Sequence, residues 1–288
     1  MIGCDNGHVV AIKAPLLHVE YKVATGAAVN TYPVVTANGP VFVASGTKFQ
    51  ALSPADGGLL WDFDAPAGNW EGRNYASCAV NEAAGVVYVL SHHLYALNMS
   101  TGAVLWQSQD NGFANTTPEL NPSRTRVYVG TPDGRVAALA TGTGATVWVF
   151  DAGTGQQATS VVVGTGNRLL FTSQNSVICL ESDGSQAWRQ TITYPGGVKL
   201  FDTVTLDSSG TTACLGTESG DPVFLLTGSI YCYTVATGAV LWSKTLTIQS
   251  GGHATLIRAA LAFSNDDSTV HVRRGLWGGG IGGKVKKG

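Results

Sequence analysis

Apolar residues in this chain come in runs of four or five, closed by Gly, Asn, Asp or Pro. Val86-Val-Tyr-Val-Leu90, Arg126-Val-Tyr-Val-Gly130 and Leu169-Leu-Phe-Thr172 are typical. They are β-branched and aromatic, the composition of short strands. No segment sustains an apolar stripe at helical spacing over about twelve residues. The turn dipeptides Asn38-Gly39, Asp133-Gly134 and Asp183-Gly184 punctuate the runs. The pattern therefore predicts an all-β chain of short antiparallel strands.

A second pattern lies over the first. Ala51 to Trp61 reads ALSPADGGLLW, Ala96 to Trp106 reads ALNMSTGAVLW, Ala138 to Trp148 reads ALATGTGATVW, and Cys232 to Trp242 reads CYTVATGAVLW. Each begins with a small residue, has Gly seventh and ends on Trp. Cys179 to Trp188, CLESDGSQAW, fits with one residue deleted; Ala11 to Tyr21, AIKAPLLHVEY, keeps the closing aromatic but has Leu17 at the Gly position. The closing aromatics Tyr21, Trp61, Trp106, Trp148, Trp188 and Trp242 are spaced by 40, 45, 42, 40 and 54 residues. A period of roughly 40–50 residues filled by short strands is that of a four-stranded propeller blade.

One period can be written out as a blade. Strand A is predicted near Thr117–Leu120, B at Arg126–Gly130, C at Arg135–Leu139 and D at Thr146–Phe150. The long 54-residue spacing implies an insertion of about ten residues, predicted as a longer B–C loop around Ser219-Gly-Asp-Pro222 and Val223-Phe-Leu-Leu226. The ends read as partial blades. Residues 3–12 resemble a B–C hairpin entered midway, while Thr255–Phe263 and Thr269–Arg273 read as A and B strands without a C–D pair. The expected architecture is an all-β propeller of about six four-stranded antiparallel blades. It is either a closed ring with one blade shared between the termini or an arc cut from a larger propeller. Residues 1–274 form this unit, and the Gly/Lys-rich residues 275–288 are expected to be flexible chain.

Composition narrows the function. Charged residues make up 12% of the 288, Gly accounts for 37 positions, and the net charge is −2. No basic field exists to hold a phosphate backbone, so nucleic acid is not an expected partner. No run of about 18 apolar residues predicts a transmembrane helix. The five cysteines, Cys4, Cys78, Cys179, Cys214 and Cys232, contain no Cys-x-x-Cys pair. They are expected to be small buried residues rather than metal or redox ligands. No signal peptide is visible, which leaves the cytoplasm as default unless the chain starts inside a longer one. The Asn98 and Asn115 sequons carry meaning only in a secreted protein.

The repeated frame small-x-x-x-x-Thr/Asp-Gly-x-x-x-Trp resembles the tryptophan-docking motif of pyrroloquinoline-quinone-type β-propellers, over residues 8–263. The resemblance implies that each closing aromatic wedges between adjacent blades. Its ring would pack on the small residue and Gly peptide of the neighbouring motif and donate its N–H to a backbone carbonyl. The implied slot residues are Ala51, Ala96, Ala138, Cys179 and Cys232, with Gly57, Gly102, Gly144, Gly184 and Gly238 in the turns. Tyr21 is the weakest match. The family includes quinoprotein dehydrogenases, a lipoprotein that scaffolds outer-membrane β-barrel assembly, and propellers appended to adenylate-forming enzymes. The motif is architectural and does not choose among them.

Chemistry is sparse. A dehydrogenase of that family implies a calcium site, an Asp base and, in several members, a disulfide between adjacent cysteines; no Cys-Cys pair occurs here. Asp56, Asp133, Asp183, Asp207, Asp266 and Asp267 fall in turns, where Asp caps local backbone. His92-His93 sits at a B–C turn, and adjacent strand residues point to opposite faces, so the pair is not expected to share an ion. Trp70 and Arg73, in the connection Asn69-Trp-Glu-Gly-Arg73, are a candidate rim hot spot for a partner. No catalytic, cofactor or metal residues are assigned. The reading is a non-catalytic propeller acting as an interaction module with another protein or domain. The alternatives are a piece of a quinoprotein dehydrogenase or a propeller detached from an adenylate-forming enzyme.

Overall fold

The computed structural model describes residues 2–4, 7–13, 18–29, 31–37, 39–65, 77–110, 112–113, 116–193, 198–199, 203–221, 225–247, 261–264, 266–274 and 281–286. Apart from two single-turn 3-10 helices, Glu82–Ala84 and Thr165–Asn167, their regular structure is β.

Seven sheets follow one another along the chain. The first has three strands, β1 (Ile2–Cys4), β2 (His8–Lys13) and β3 (His18–Ala24). The second comprises β4 (Val34–Val35), β5 (Val41–Ser45), β6 (Lys48–Leu52) and β7 (Leu59–Asp64). The third comprises β8 (Ala79–Asn81), β9 (Val86–Leu90), β10 (Leu94–Asn98) and β11 (Val104–Gln107). The fourth comprises β12 (Glu119–Leu120), β13 (Arg126–Gly130), β14 (Arg135–Ala140) and β15 (Thr146–Asp151). The fifth comprises β16 (Val162–Val163), β17 (Leu169–Ser173), β18 (Ser176–Leu180) and β19 (Gln186–Thr191). In the sixth, β20 (Val198–Lys199) and β21 (Thr205–Leu206) both pair with β22 (Thr212–Asp221), followed by β23 (Leu225–Thr234) and β24 (Val240–Thr247). The seventh has β25 (Ala262–Phe263), β26 (Thr269–Arg274) and β27 (Ile281–Lys286). Spatial order equals chain order in each four-stranded sheet, so each is an A–B–C–D meander.

Burial explains the sequence pattern strand by strand. All five residues of β5, β17 and β18 are buried, which is why B and C strands read as unbroken apolar runs. The D strands alternate, as in β7, where only Trp61 and Phe63 are buried. The chain divides into two compact units, Met1–Thr131 with Ala137–Val147, and Pro132–Val136 with Trp148–Gly288. In the first unit, apolar clusters lie between consecutive sheets. Val9, Val41 and Leu52 join the first and second sheets; Phe42, Trp61 and Tyr95 join the second and third; Tyr88, Val127 and Leu139 join the third and fourth. In the second unit, Leu170, Cys179 and Tyr233 join the fifth and sixth sheets. Ile230, Leu261 and Val270 join the sixth and seventh.

Three features differ from the sequence reading. The predicted B–C loop at 219–226 is largely strand: β22 and β23 stay in register for ten pairs, from Thr212↔Thr234 to Asp221↔Leu225, leaving residues 222–224 between them. The inserted residues lengthen both strands equally, so the ladder continues without slipping. Residues 281–286 form β27, antiparallel to β26 with Val270↔Val285 and Arg274↔Ile281 in register, because pairing with β26 outweighs the flexibility that glycine content alone predicts. Cys214 and Cys232 are not free thiols but a disulfide. The lengthened hairpin places them directly opposite each other.

Candidate functional site

The repeated motif builds one local geometry. The small residue on strand C and the aromatic on strand D are cross-strand partners: Ala11↔Tyr21, Ala51↔Trp61, Ala96↔Trp106, Cys179↔Trp188 and Cys232↔Trp242. A register shift follows the small residue each time, at Ala11/Ile12, Ala51/Leu52, Ala96/Leu97, Cys179/Leu180 and Cys232/Tyr233. This bulge twists strand D and turns the ring toward the next sheet.

The ring's seat comes from the following motif. Tyr21, Trp61, Trp106, Trp148 and Trp188 lie against Gly57, Gly102, Gly144, Gly184 and Gly238. A Cβ at those glycines would stand 2.8, 2.7, 2.5, 2.7 and 2.6 Å from a ring carbon. Each glycine has positive φ, between 70° and 90°. The turn closes when the Gly amide donates to the carbonyl four residues back: Ser53, Asn98, Ala140 and Thr234, at 2.8–2.9 Å. Gly184, in the motif with the deletion, reaches back three residues to Glu181 at 3.0 Å. The same turns present an acceptor to the indole. Nε1 of Trp61 donates to the Met99 carbonyl at 3.1 Å, Trp106 to Thr141 at 2.9 Å, Trp148 to Ser182 at 3.2 Å and Trp188 to Val235 at 2.9 Å. Tyr21, Trp61, Trp106 and Trp188 thus face the small residue of their own motif in register and sit on the glycine of the next.

Further ties link successive A–B turns. The Ala37 amide donates to both carboxylate oxygens of Glu82 at 3.2 Å, and Arg124 Nη1 donates to Asn81 Oδ1 at 3.2 Å. In the second unit, Thr165 N–H donates to the Gly210 carbonyl at 2.9 Å, and Ser208 N–H to the Asp267 carboxylate at 3.1 Å. Arg168 holds Glu181 with Nη2 at 2.7 Å and Nε at 3.3 Å, while its Nη1 reaches the Val235 and Ala236 carbonyls. Val235 thus accepts from both Trp188 and Arg168. This cation is absent from the motif frame, and only the fold reveals it.

The six turn aspartates each have a local task. Hydrogen bonds from Ser53 and the Gly58 amide hold Asp56 below the ordinary carboxylate range, and Ser185 does the same for Asp183. Ser264 and Ser268 bring Asp266 to about 2. For Asp207 burial works upward, and donors from Thr212, Thr211 and Ser209 outweigh it. Asp133 pairs with Arg135 at 2.9 Å, and Asp267 is the tie to Ser208. Among the described residues no three His, Cys, Asp or Glu side chains cluster as metal ligands would. His92 and His93 occupy the turn between β9 and β10. Nδ1 of His93 lies 3.1 and 3.0 Å from the Ser108 and Asp110 carbonyls, closing the loop after β11. Among the described carboxylates, Glu119 on β12 moves the other way, pushed up to about 7 by burial.

Trp70 and Arg73 lie outside the described residues. What sequence reasoning passed over is an apolar pair directly ahead of three docking tryptophans. Leu59-Leu60, Val104-Leu105 and Val240-Leu241 are each more than half exposed, or half exposed for Val104. The LLW and VLW triplets carry that signal in the sequence.

Successive meanders joined by docked aromatics define a β-propeller of the tryptophan-docking class. A family model described as outer membrane protein assembly factor BamB matches residues 2–109 and 50–274, and the chain belongs to this family of pyrroloquinoline-quinone-like propellers. Among solved structures it is similar to BamB from Moraxella catarrhalis, at 15% identity and TM-score 0.67, covering 94% of this chain and 77% of that one. It is also similar to the computationally designed Ika8 protein, at 15% identity and TM-score 0.65, covering 94% and 76%. The quinohemoprotein alcohol dehydrogenase ADHIIG from Pseudomonas putida HK5 is similar at 16% identity and TM-score 0.56, covering 85% of this chain and 51% of that one. No curated protein sequence matches. Among the described residues no helix is long and apolar enough to cross a membrane.

Proposed function

We propose that this chain is a non-catalytic propeller whose work is to hold a protein partner. The observation that carries the reading is the local commitment of all six turn aspartates. Each caps its own turn, pairs with a neighbouring Arg or ties one turn to the next, so none is left to act as a base toward a bound alcohol. The family description, an assembly factor, fits an interaction role, and the exposed apolar pairs on β7, β11 and β24 supply surface for one. On this reading no cofactor is held.

Two measurements test it. With added pyrroloquinoline quinone and calcium, dye-linked oxidation of alcohols and sugars stays at background; turnover proportional to protein overturns the reading. Photo-crosslinkers at Leu60, Leu105 and Leu241 yield adducts with a discrete second protein in the native host, and uniformly empty crosslinks count against an interaction role.

A further inference from the structure

The docking slots share a rule that one sheet breaks. In the second, third and fifth sheets the strand-B residue opposite the small position is large: Phe42 faces Ala51, Tyr88 faces Ala96 and Leu170 faces Cys179. Phe42 and Tyr88 lie with ring centroids 5.8 and 5.9 Å from Trp61 and Trp106, so the large residue helps to seat the docking ring. In the sixth sheet Cys214 takes the large position and Cys232 the small one. Both are fully buried and packed with Ile230, Leu261, Val270 and Trp242 between the sixth and seventh sheets. Unbonded, two thiols there would replace a ring and a methyl group, leaving the slot under-filled.

We propose that the Cys214–Cys232 disulfide is a redox-dependent clamp, a covalent substitute for the large-over-small pair, which seats Trp242 when oxidised and loosens the sixth and seventh sheets when reduced. Closing it forms one S–S bond. The two thiols surrender two protons and two electrons to a small-molecule disulfide, which leaves as two thiols after a mixed-disulfide step. A dithiol reductant reverses this. Because both sulfurs are sealed from solvent, exchange waits on local opening of the hairpin, so the clamp persists once the protein has folded. A chain that relies on it completes its fold in an oxidising compartment.

The full chain is refolded with glutathione disulfide, or with excess dithiothreitol, and compared by hydrogen exchange and urea unfolding. The bond closes a loop of sequence separation 18, for which the unfolding constant is expected to rise about a hundredfold on reduction. Amides of residues 212–217 and 230–243 exchange at least about tenfold faster in the reduced protein, while those of 126–131 do not change. The double variant Cys214→Phe with Cys232→Ala installs the pair of the second sheet; it restores the local exchange protection of residues 230–243 that reduction removes, without the loop-closure share of the unfolding constant, and ignores dithiothreitol. The variant Cys214→Ala with Cys232→Ala matches the reduced wild type, and settles the matter if the Phe variant does not fold. The proposal is overturned if peptide mapping after acid-quenched alkylation finds both cysteines alkylated in the glutathione-refolded protein. It is equally overturned if reduction leaves the sixth sheet's exchange unchanged, or if the Cys-free pair keeps a response to dithiothreitol.

Discussion

Adding one methyl group at Gly144 tests the docking geometry directly. In Gly144→Ala the new Cβ would stand 2.5 Å from Cε3 of Trp106 and 2.8 Å from Cζ3, on a backbone with φ +70°. The left-handed conformation alone costs a residue with a Cβ about 1–2 kcal/mol. Driving a methyl group into a packed ring adds about 1–3 kcal/mol, since either the ring or the turn must shift. The sum, about 2–5 kcal/mol, is a large share of a typical domain stability of about 5–15 kcal/mol. Two control glycines separate the contributions. Gly85→Ala has φ +64° and nothing within 4 Å, so it carries only the conformational part. Gly142→Ala, two residues from the docking position, has neither positive φ nor a neighbour within 4 Å and should be neutral or slightly stabilising. Urea midpoints followed by far-ultraviolet circular dichroism should therefore rank Gly142→Ala above Gly85→Ala above Gly144→Ala. A double-mutant cycle finishes the test: with Trp106→Ala as background, Gly144→Ala should cost no more than Gly85→Ala. An equal cost for Gly144→Ala in both backgrounds would refute the claim that ring and glycine are in contact.

Three further outcomes are expected. Arg168→Lys breaks the forked contact with Glu181 and one carbonyl contact at Val235 or Ala236, lowering stability by about 1–2 kcal/mol because only the hydrogen-bonded geometry is lost; Glu181→Gln, which spares the carbonyl contacts, should lose less in the same urea series. Glu119 binds its proton more tightly when folded, near 7 against 4.5. Its own contribution to stability is therefore full below about 4.5 and is lost as pH rises through about 7, by up to about 3 kcal/mol, while the lowered aspartates contribute in the opposite sense at acid pH; Glu119→Gln should remove that loss between urea melts at pH 5 and pH 8. Burial raises the Cys78 thiol and pushes Cys179 up to about 12, so iodoacetamide at pH 8 should label neither until urea unfolds the protein.

The periodic elements were legible because their causes are local. A continuous Val/Tyr/Leu run bounded by turn residues can be satisfied only as a doubly buried strand, and β13 falls at Arg126–Gly130, the range read from the sequence. The motif spacing was legible for the same reason, since a glycine at positive φ cannot drift along a turn. What the spacing did not reveal was which glycine serves which ring. Tyr21 looked weak because Leu17 occupies the Gly position of its own motif, yet its ring sits on Gly57, one motif later, like the tryptophans. The disulfide was hidden by register. Strand-B and strand-C partners are 9 residues apart for Phe42 and Ala51 and 18 apart for Cys214 and Cys232, because the extra residues extend the hairpin. Reading 219–226 as a loop erased that relation. Arg168 could not be foreseen, since its acceptors at Val235 and Ala236 lie 67 and 68 residues further on.

The forward offset of the docking contact has a further consequence. From the second sheet to the sixth, every sheet carries a plug on strand D and a socket in its C–D turn, and Tyr21, Trp61, Trp106, Trp148 and Trp188 each engage the socket one motif later in the chain. Duplicating one such unit would insert a matching plug and socket together, leaving both junctions intact. A chain built this way can therefore lengthen by copying a single period.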